Sequence, residues 1–176
     1  SIIKEINNSD YFCKTYQYGT FDTCNKLNII DDMYDDNIDN ENCKKINNCR
    51  FYSFIEKGDF DLIDYIITKK NSYISNDLFI QLTKGLQVLH KNNITHNDMK
   101  PDNIIVFIKK NKFILKYIDF GLIVYKDKPC YTEGGSKFGT TGYMSPEVEL
   151  SSKYTIYNDI WALGCIFYFM LRQTRP

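Results

Sequence analysis

Excess charge of either sign is missing from this chain of 176 residues, because 22 lysines and arginines balance 22 aspartates and glutamates. A chain without net charge creates no general field that would attract nucleic acid or an anionic membrane. Long apolar runs are missing as well, since the longest, Trp161 to Leu171, has about half the length that a membrane-spanning helix needs. We therefore expect no nucleic-acid partner and no membrane partner, and we interpret the run as a buried helix.

Paired cysteines are also missing: the six cysteines include no C-x-x-C pair and stand in no metal-binding spacing with histidine. This pattern argues against a zinc module and against the disulfide framework of a small secreted domain. Reduced thiols are the rule in the cytosol. The cysteine pattern therefore favours a cytoplasmic protein.

The chain does have the composition of a folded domain, because 43% of its residues are hydrophobic and 15% are aromatic, which excludes a wholly disordered chain. Acidic residues and asparagines concentrate between Asn28 and Cys49, and we expect this stretch to be an exposed insertion. Two aromatic-rich segments flank it, Tyr11 to Phe21 and Arg50 to Ile55. Their composition predicts two β-strands that pair across the insertion.

Hydrophobic spacing predicts the elements of the rest of the chain. Leucines at 78, 82, 86 and 89 recur every three or four residues, which is typical of an amphipathic helix. In chain order we expect a short helix over 62–67, this longer helix over 78–91, a β-hairpin of 104–108 with 113–118, an irregular loop over 121–145 and a final helix over 157–172.

Polar side chains cluster at the ends of the predicted hairpin. Asp98 and Asn103 precede its first strand, Asp119 follows its second strand, and Lys100 is a single cation among them. Carboxylate and amide oxygens suit Mg²⁺, which usually binds one or two carboxylates together with substrate phosphates. The residue types therefore indicate a site for Mg²⁺ and a phosphate group.

Four motifs in this part of the chain resemble those of eukaryotic-type Ser/Thr protein kinases. His96-Asn97-Asp98-Met99-Lys100-Pro101-Asp102-Asn103 is similar to the catalytic loop of that family, and Asp119-Phe120-Gly121 is similar to its D-F-G motif. Gly139 to Glu147 resembles the end of an activation segment, and Asp159 to Gly164 resembles the start of the central helix of the large lobe. A three-residue pattern alone recurs by chance, but four motifs in the family's order argue against an accident.

The resemblance implies an α+β, protein-kinase-like two-lobed fold that is truncated at both ends and has a mainly helical large lobe. Residues 1–55 would form a partial small lobe that carries the insertion over 28–49, and residues 56–176 a partial large lobe. No glycine-rich loop precedes the motifs, and the last large-lobe helices are expected to be missing. Glu5 resembles the glutamate of the small-lobe helix, although Ile2-Ile3-Lys4 could instead be the strand that carries the family's lysine.

The resemblance also implies roles for individual residues in the transfer of a phosphoryl group. Asp98 would orient the acceptor hydroxyl and take its proton, Lys100 would neutralise charge on the transferred group, and Thr140 would contact both residues. Asn103 and Asp119 would hold Mg²⁺. His96 would be structural, and Asp159 would hold the backbone of the catalytic loop in place.

The nucleotide implied by the family is ATP, and its site is less sharply defined by the sequence. Ile105 would form the floor of the adenine pocket, Ser53 to Ile55 would lie beside the adenine, and Asp59 would lie near the ribose. These assignments follow from aligning Gly58-Asp59 with the family's Gly-Asp or Gly-Glu pair.

The function implied by the resemblance is ATP-dependent phosphoryl transfer to Ser or Thr hydroxyls of protein substrates. The alternative is a pseudokinase or regulatory fragment that binds a protein partner without catalysis, because the glycine-rich loop is missing and Asn97 replaces the family's usual arginine. That replacement also argues against activation by phosphorylation of the loop. A small-molecule phosphotransferase is a third interpretation, but such enzymes lack the Ser-Pro-Glu segment and the Asp-x-Trp helix.

Overall fold

A computed structural model describes residues 9–21, 50–68, 76–110, 112–125 and 137–174. The chain divides into two compact units: Ser1–Lys14 together with Lys57–Pro176, and Thr15–Glu56. Residues 9–14 therefore pack with the larger unit. The expected division into a partial small lobe over 1–55 and a partial large lobe over 56–176 stays a prediction. Glu5 and the acidic insertion over 28–49 lie outside the described residues.

The described residues of the smaller unit form two antiparallel strands, β1 (Thr15–Phe21) and β2 (Arg50–Ile55). Their register pairs Thr15 with Ile55 and Phe21 with Arg50, with an irregularity between Thr15 and Gln17. The prediction that these two segments pair across the acidic insertion is confirmed.

The larger unit contains four helices and five strands among its described residues. They are β3 (Phe60–Asp61), α1 (Leu62–Thr68), α2 (Asn76–Lys91), β4 (Ile94–Thr95), β5 (Ile104–Lys109), β6 (Lys112–Tyr117), β7 (Val124–Tyr125), α3 (Pro146–Ser151) and α4 (Ile156–Arg172). A 3₁₀ turn over Pro101–Asn103 leads into β5. The two predicted helices before residue 92, the hairpin and the final helix are confirmed.

The antiparallel hairpin of β5 and β6 positions the polar cluster. Its register pairs Ile104 with Tyr117, and β3 pairs with the other edge of β5. At the open end of the hairpin, the amide of Ile118 donates to the carbonyl of Asn103 at 3.0 Å. The hairpin therefore brings Asn103 close to the residue that precedes Asp119.

The segment over 121–145 is predicted to be an irregular loop, but its described part includes a short strand, which corrects that prediction. Val124 and Tyr125 form β7, which pairs with Ile94 and Thr95 of β4. A two-residue strand is too short to show a hydrophobic period, and its partner lies about 30 residues earlier in the chain. The sequence therefore carried no local signal for it.

The core of the larger unit lies between α2, the hairpin and α4. The four leucines at 78, 82, 86 and 89 are buried, as their spacing predicts. Tyr117 at the end of β6 is buried beside them, and its hydroxyl donates to the carbonyl of Leu82 at 2.9 Å. Burial first, and the negative charge of Asp159 second, raise the pKa of Tyr117 well above its ordinary value. This phenol therefore stays a neutral donor at physiological pH.

Helix α4 buries one face of its apolar run and leaves another face exposed. Ile166 and Met170 lie in the core, whereas Trp161 is 47% exposed. Residues about 3.6 positions apart share a helix face, so the exposed apolar residues form a second stripe opposite the first: Tyr157, Ile160, Trp161, Tyr168 and Leu171. Within the described ranges, no helix combines the length and the apolar character needed to cross a membrane.

Candidate active site

Asp159, in the first turn of α4, holds the loop that follows β4. Asp159 is 1% exposed, and its two carboxylate oxygens accept hydrogen bonds from the amides of His96 at 2.8 Å and Asn97 at 2.9 Å. His90 on α2 is bonded to the same carboxylate at 3.0 Å through Nε2. The expectation that Asp159 holds this loop in place is confirmed.

His96 is buried and both of its ring nitrogens are engaged. The amide of Asp98 donates to Nδ1 at 3.3 Å, and Nε2 lies 3.1 Å from the carbonyl of Ile118. Because an amide can only donate, Nδ1 is the bare nitrogen and Nε2 carries the proton. The ring therefore connects the loop to the end of the hairpin, and neither nitrogen is available to move a proton.

The carboxylate of Asp98 lies at the centre of a hydrogen-bond network. The hydroxyl of Thr140 donates to Oδ1 at 2.7 Å, and Nδ2 of Asn103 donates to Oδ2 at 3.1 Å. Lys100 Nζ lies 3.3 Å from Oδ2 and donates to the hydroxyl of Thr140 at 3.0 Å. The structure thus brings together the three predicted catalytic residues, although Thr140 is 42 residues from Asp98.

Asp119 is held through its neighbours rather than through its own side chain. It is an exposed residue with a left-handed φ of 61°, and its Oδ1 accepts from the amide of Gly121 at 3.2 Å. The amide of Ile118 is bonded to Asn103, and the ring of Phe120 packs 5.3 Å from the ring of His96. The backbone on both sides of Asp119 is therefore fixed while its carboxylate faces outward.

The donor set of Asn103 and Asp119 fits Mg²⁺. Nδ2 of Asn103 is used by the backbone and carboxylate of Asp98, at 2.9 and 3.1 Å, which leaves its hard carbonyl oxygen for a ligand. Among the described residues, no group of three or more His, Cys, Asp or Glu side chains could hold a metal ion alone. Mg²⁺ usually binds few protein oxygens and completes its coordination with phosphate and water oxygens. A site with one oxygen from Asn103 and one from Asp119 fits this preference.

The residues predicted to contact the nucleoside are not gathered in the same way. Ile105 is half-buried on β5, and Gly58 packs so close to it that a Cβ at Gly58 would overlap Ile105 Cγ2. Asp59 accepts the amide of Ile108 at 2.7 Å. Ile108 is five residues from Asn103 along the strand, roughly 16 Å at about 3.3 Å per residue. The carboxylate of Asp59 therefore lies away from the cluster around Asp98, and the expected positions of Asp59 near the ribose and of Ile105 beneath the adenine stay predictions.

Ser53 and Ile55 lie on β2 of the smaller unit, with Ile55 exposed. Their expected position beside the adenine stays a prediction.

Sequence reasoning missed Tyr154, which lies on the segment between α3 and α4. Its hydroxyl is bonded to the backbone of Phe138, two residues before Thr140. No motif includes this tyrosine, and nothing in the local spacing distinguishes it from the other 13 tyrosines of the chain. The contact emerges only from the folded structure.

Comparisons with known proteins agree with this geometry. A family model described as the protein kinase domain matches residues 37–176. The chain is 34% identical to calcium-dependent protein kinase 4 of Plasmodium falciparum over 145 residues, which are 74% of this chain and 27% of that protein. It is 38% identical to the serine/threonine-protein kinase cds1 of Schizosaccharomyces pombe over 133 residues, 70% of this chain and 27% of that protein.

A relative of another kind is the dual specificity tyrosine-phosphorylation-regulated kinase 2 of Drosophila melanogaster, 33% identical over 153 residues, 80% of this chain and 20% of that protein. Among solved structures, the Cydia pomonella granulovirus kinase PK-1 superimposes with a TM-score of 0.69 at 26% identity, covering 99% of this chain and 54% of that one. The chain thus spans about a quarter of the length of the curated relatives it matches. The predicted α+β, kinase-like fold is confirmed.

Proposed function

The chain belongs to the protein kinase domain family, and from this premise we propose that it catalyses ATP-dependent phosphoryl transfer to Ser or Thr hydroxyls of protein substrates. The observation that carries the proposal is the closed network around Asp98, in which three donors, from Lys100, Asn103 and Thr140, orient both oxygens of one carboxylate. A lysine two residues after the catalytic aspartate, with a threonine that contacts both, is the pattern typical of Ser/Thr kinases.

In the proposed reaction, the substrate hydroxyl oxygen forms a bond to the γ-phosphorus of ATP while the bond from that phosphorus to the β–γ bridging oxygen breaks. The hydroxyl proton passes to the carboxylate of Asp98, and ADP leaves with the bridging oxygen. Lys100 stabilises the negative charge on the transferred group, since its ammonium is already held beside Asp98 and Thr140. Positioning and electrostatics account for most of the rate in this chemistry.

Asn103 and Asp119 would hold Mg²⁺ in this site. When bound, the ion would supply positive charge to the phosphate oxygens of ATP. The protein's own contribution is to fix the two ligands: the Asp98 carboxylate orients the Asn103 amide, and the bonded neighbours of Asp119 fix its backbone.

The test is a radiolabelled phosphoryl-transfer assay on the full-length gene product with a mixed panel of protein substrates. We expect Asp98→Asn to lower kcat about 10²- to 10⁴-fold, because general-base catalysis contributes that much. Asp102→Asn is the matched control, since Asp102 is exposed on the same segment and should leave kcat unchanged. Acid hydrolysis of the products should give phosphoserine and phosphothreonine.

Three outcomes would contradict the proposal. Equal rates for the wild type and Asp98→Asn would remove the role of Asp98. Phosphotyrosine as the main product would overturn the Ser/Thr assignment. Binding of ATP without any transfer would favour the pseudokinase alternative.

A further inference from the structure

The hydroxyl of Tyr154 makes two hydrogen bonds to a single residue. It accepts from the amide of Phe138 at 2.8 Å and donates to the carbonyl of the same residue at 2.9 Å. The two rings are also stacked, with centroids 3.8 Å apart and planes inclined by 8°. Tyr154 is 5% exposed. One side chain therefore fixes both peptide groups of Phe138 and its ring.

Phe138 lies two residues before Thr140, and the chain between them passes close to the catalytic loop. Gly139 has a φ of 113°, and a Cβ there would lie 3.0 Å from the carbonyl oxygen of Asn97. A backbone in this conformation favours glycine. The fixed peptides of Phe138 and the close passage at Gly139 together determine where the hydroxyl of Thr140 lies.

The hydroxyl of Thr140 in turn connects the two charged groups of the site. It donates to Asp98 Oδ1 at 2.7 Å and accepts from Lys100 Nζ at 3.0 Å. A shift of Thr140 would break both bonds at once. The position of Asp98 relative to Lys100 therefore depends on a residue held by Tyr154.

We propose that Tyr154 is a positioning residue, which acts through Phe138 to hold Thr140 against Asp98 and Lys100. This inference rests on the proposed function, because it assigns Tyr154 a part in the same phosphoryl transfer.

The activity test compares Tyr154→Phe, which keeps the stacked ring and removes only the hydroxyl, with the wild-type full-length gene product. We expect kcat to fall about 10- to 10²-fold, because a displacement of about 1 Å at a reacting group costs that order. The KM for ATP should stay within about twofold, since the nucleotide ligands are not moved. Tyr157→Phe is the matched control, because Tyr157 is 70% exposed and should keep wild-type kcat.

A double-mutant cycle separates positioning from general support of the fold. If Tyr154 acts through Thr140, then Tyr154→Phe should lower kcat in the wild type and have no further effect in a Thr140→Ala background. A merely structural tyrosine would lower kcat by the same factor in both backgrounds, and this result would overturn the proposal. So would a Tyr154→Phe variant with wild-type kcat.

Hydrogen exchange tests the same inference without turnover. Removing the hydroxyl should speed amide exchange at 138–140 and also in the loop over 96–100, because the two are joined through Thr140. Faster exchange confined to 152–155 would contradict the proposal. Since this measurement needs no phosphoryl transfer, an inactive wild-type protein would overturn the proposed function and still leave the role of Tyr154 to be decided by exchange.

Discussion

The halves of the candidate site around Asp98 and around Asp119 are held by the protein to different degrees. Asp98 receives bonds from Thr140 and Asn103 and pairs with Lys100. Asp119 is exposed, and among the described residues its carboxylate accepts one hydrogen bond, from the amide of Gly121 at 3.2 Å. Internal partners preorganise the half that would handle the proton, whereas the half that would meet metal and phosphate keeps its oxygens for the ligand.

This difference predicts different responses to substitution. Changes around Asp98 should alter the protein even without ligand, because they break bonds within the chain. Changes at Asp119 should matter only when Mg²⁺ and nucleotide are present.

The largest effect is expected from Asp159→Ala, because Asp159 holds the loop that carries Asp98. The change leaves the amides of His96 and Asn97 without their acceptor and removes the partner of His90. Hydrogen bonds to a charged group contribute about 1.5–3 kcal/mol each. We therefore expect the free energy of unfolding to fall by at least about 3 kcal/mol. Urea unfolding measures this loss, with Asp102→Ala as the exposed control. A loss below about 1 kcal/mol would show that the Asp98 half is not preorganised in this way.

The next effect is expected from Asp119→Asn, and it should depend on ligand. The side chain is exposed, and Asn keeps an acceptor for the amide of Gly121. The free energy of unfolding without ligand should therefore change by less than about 0.5 kcal/mol. When Mg²⁺ and ATP are present at 100 times their Kd, the free energy of unfolding of the wild-type protein should rise by about 2.7 kcal/mol. The variant should lack most of this ligand-dependent stabilisation. Thermal unfolding with and without Mg²⁺ and ATP measures both quantities. An equal ligand-dependent gain in the variant would remove Asp119 from the metal site.

A third effect is expected at alkaline pH, and it comes from Tyr117, which is buried in the core of the larger unit. Its pKa in the folded protein is raised, by burial first and by Asp159 second, above the value of about 10 in an unfolded chain. The neutral phenol therefore stabilises the fold fully below pH 10, and this contribution is lost as pH rises from there toward the folded pKa. Between these two pKa values, the free energy of unfolding should fall by about 1.4 kcal/mol for each pH unit.

Urea unfolding between pH 8 and pH 11 measures this slope, and Tyr117→Phe should remove the part that Tyr117 contributes. If the variant and the wild type lost stability in parallel above pH 10, the phenol would not be the group responsible.

Sequence patterns predicted the parts of the fold that rest on local spacing. The leucine stripe of α2 follows from a spacing that repeats along the chain, and the hairpin follows from two β-rich runs joined by a short polar turn. The motifs pointed to Asp98, Lys100 and Thr140, which the structure joins in one network. The missing parts depend on contacts between distant segments. Tyr154 reaches Phe138 across 16 residues, β7 pairs with β4, and the exposure of Trp161 depends on which face of α4 the core covers. No local period encodes such contacts.

Asn97 offers the smallest effect, and it tests whether the two halves are coupled. Its Nδ2 donates to the carbonyl of Leu122 at 3.0 Å, which connects the loop of Asp98 to the segment that follows Asp119. Its Oδ1 is buried and accepts no hydrogen bond among the described residues. A buried unpaired acceptor is unfavourable, so removing the whole amide should offset much of the cost of losing the bond.

We therefore expect Asn97→Gly, which also suits the left-handed φ of 65°, to change the free energy of unfolding by less than about 1 kcal/mol. Asn97→Ala should cost about 1 kcal/mol more, because a Cβ is strained in that conformation. In both variants, amide exchange over 121–123 should become faster while exchange over 98–100 stays as in the wild type. Faster exchange in both ranges would show that the Asp98 half depends on the Asp119 half, and the contrast between a preorganised and an open half would no longer hold.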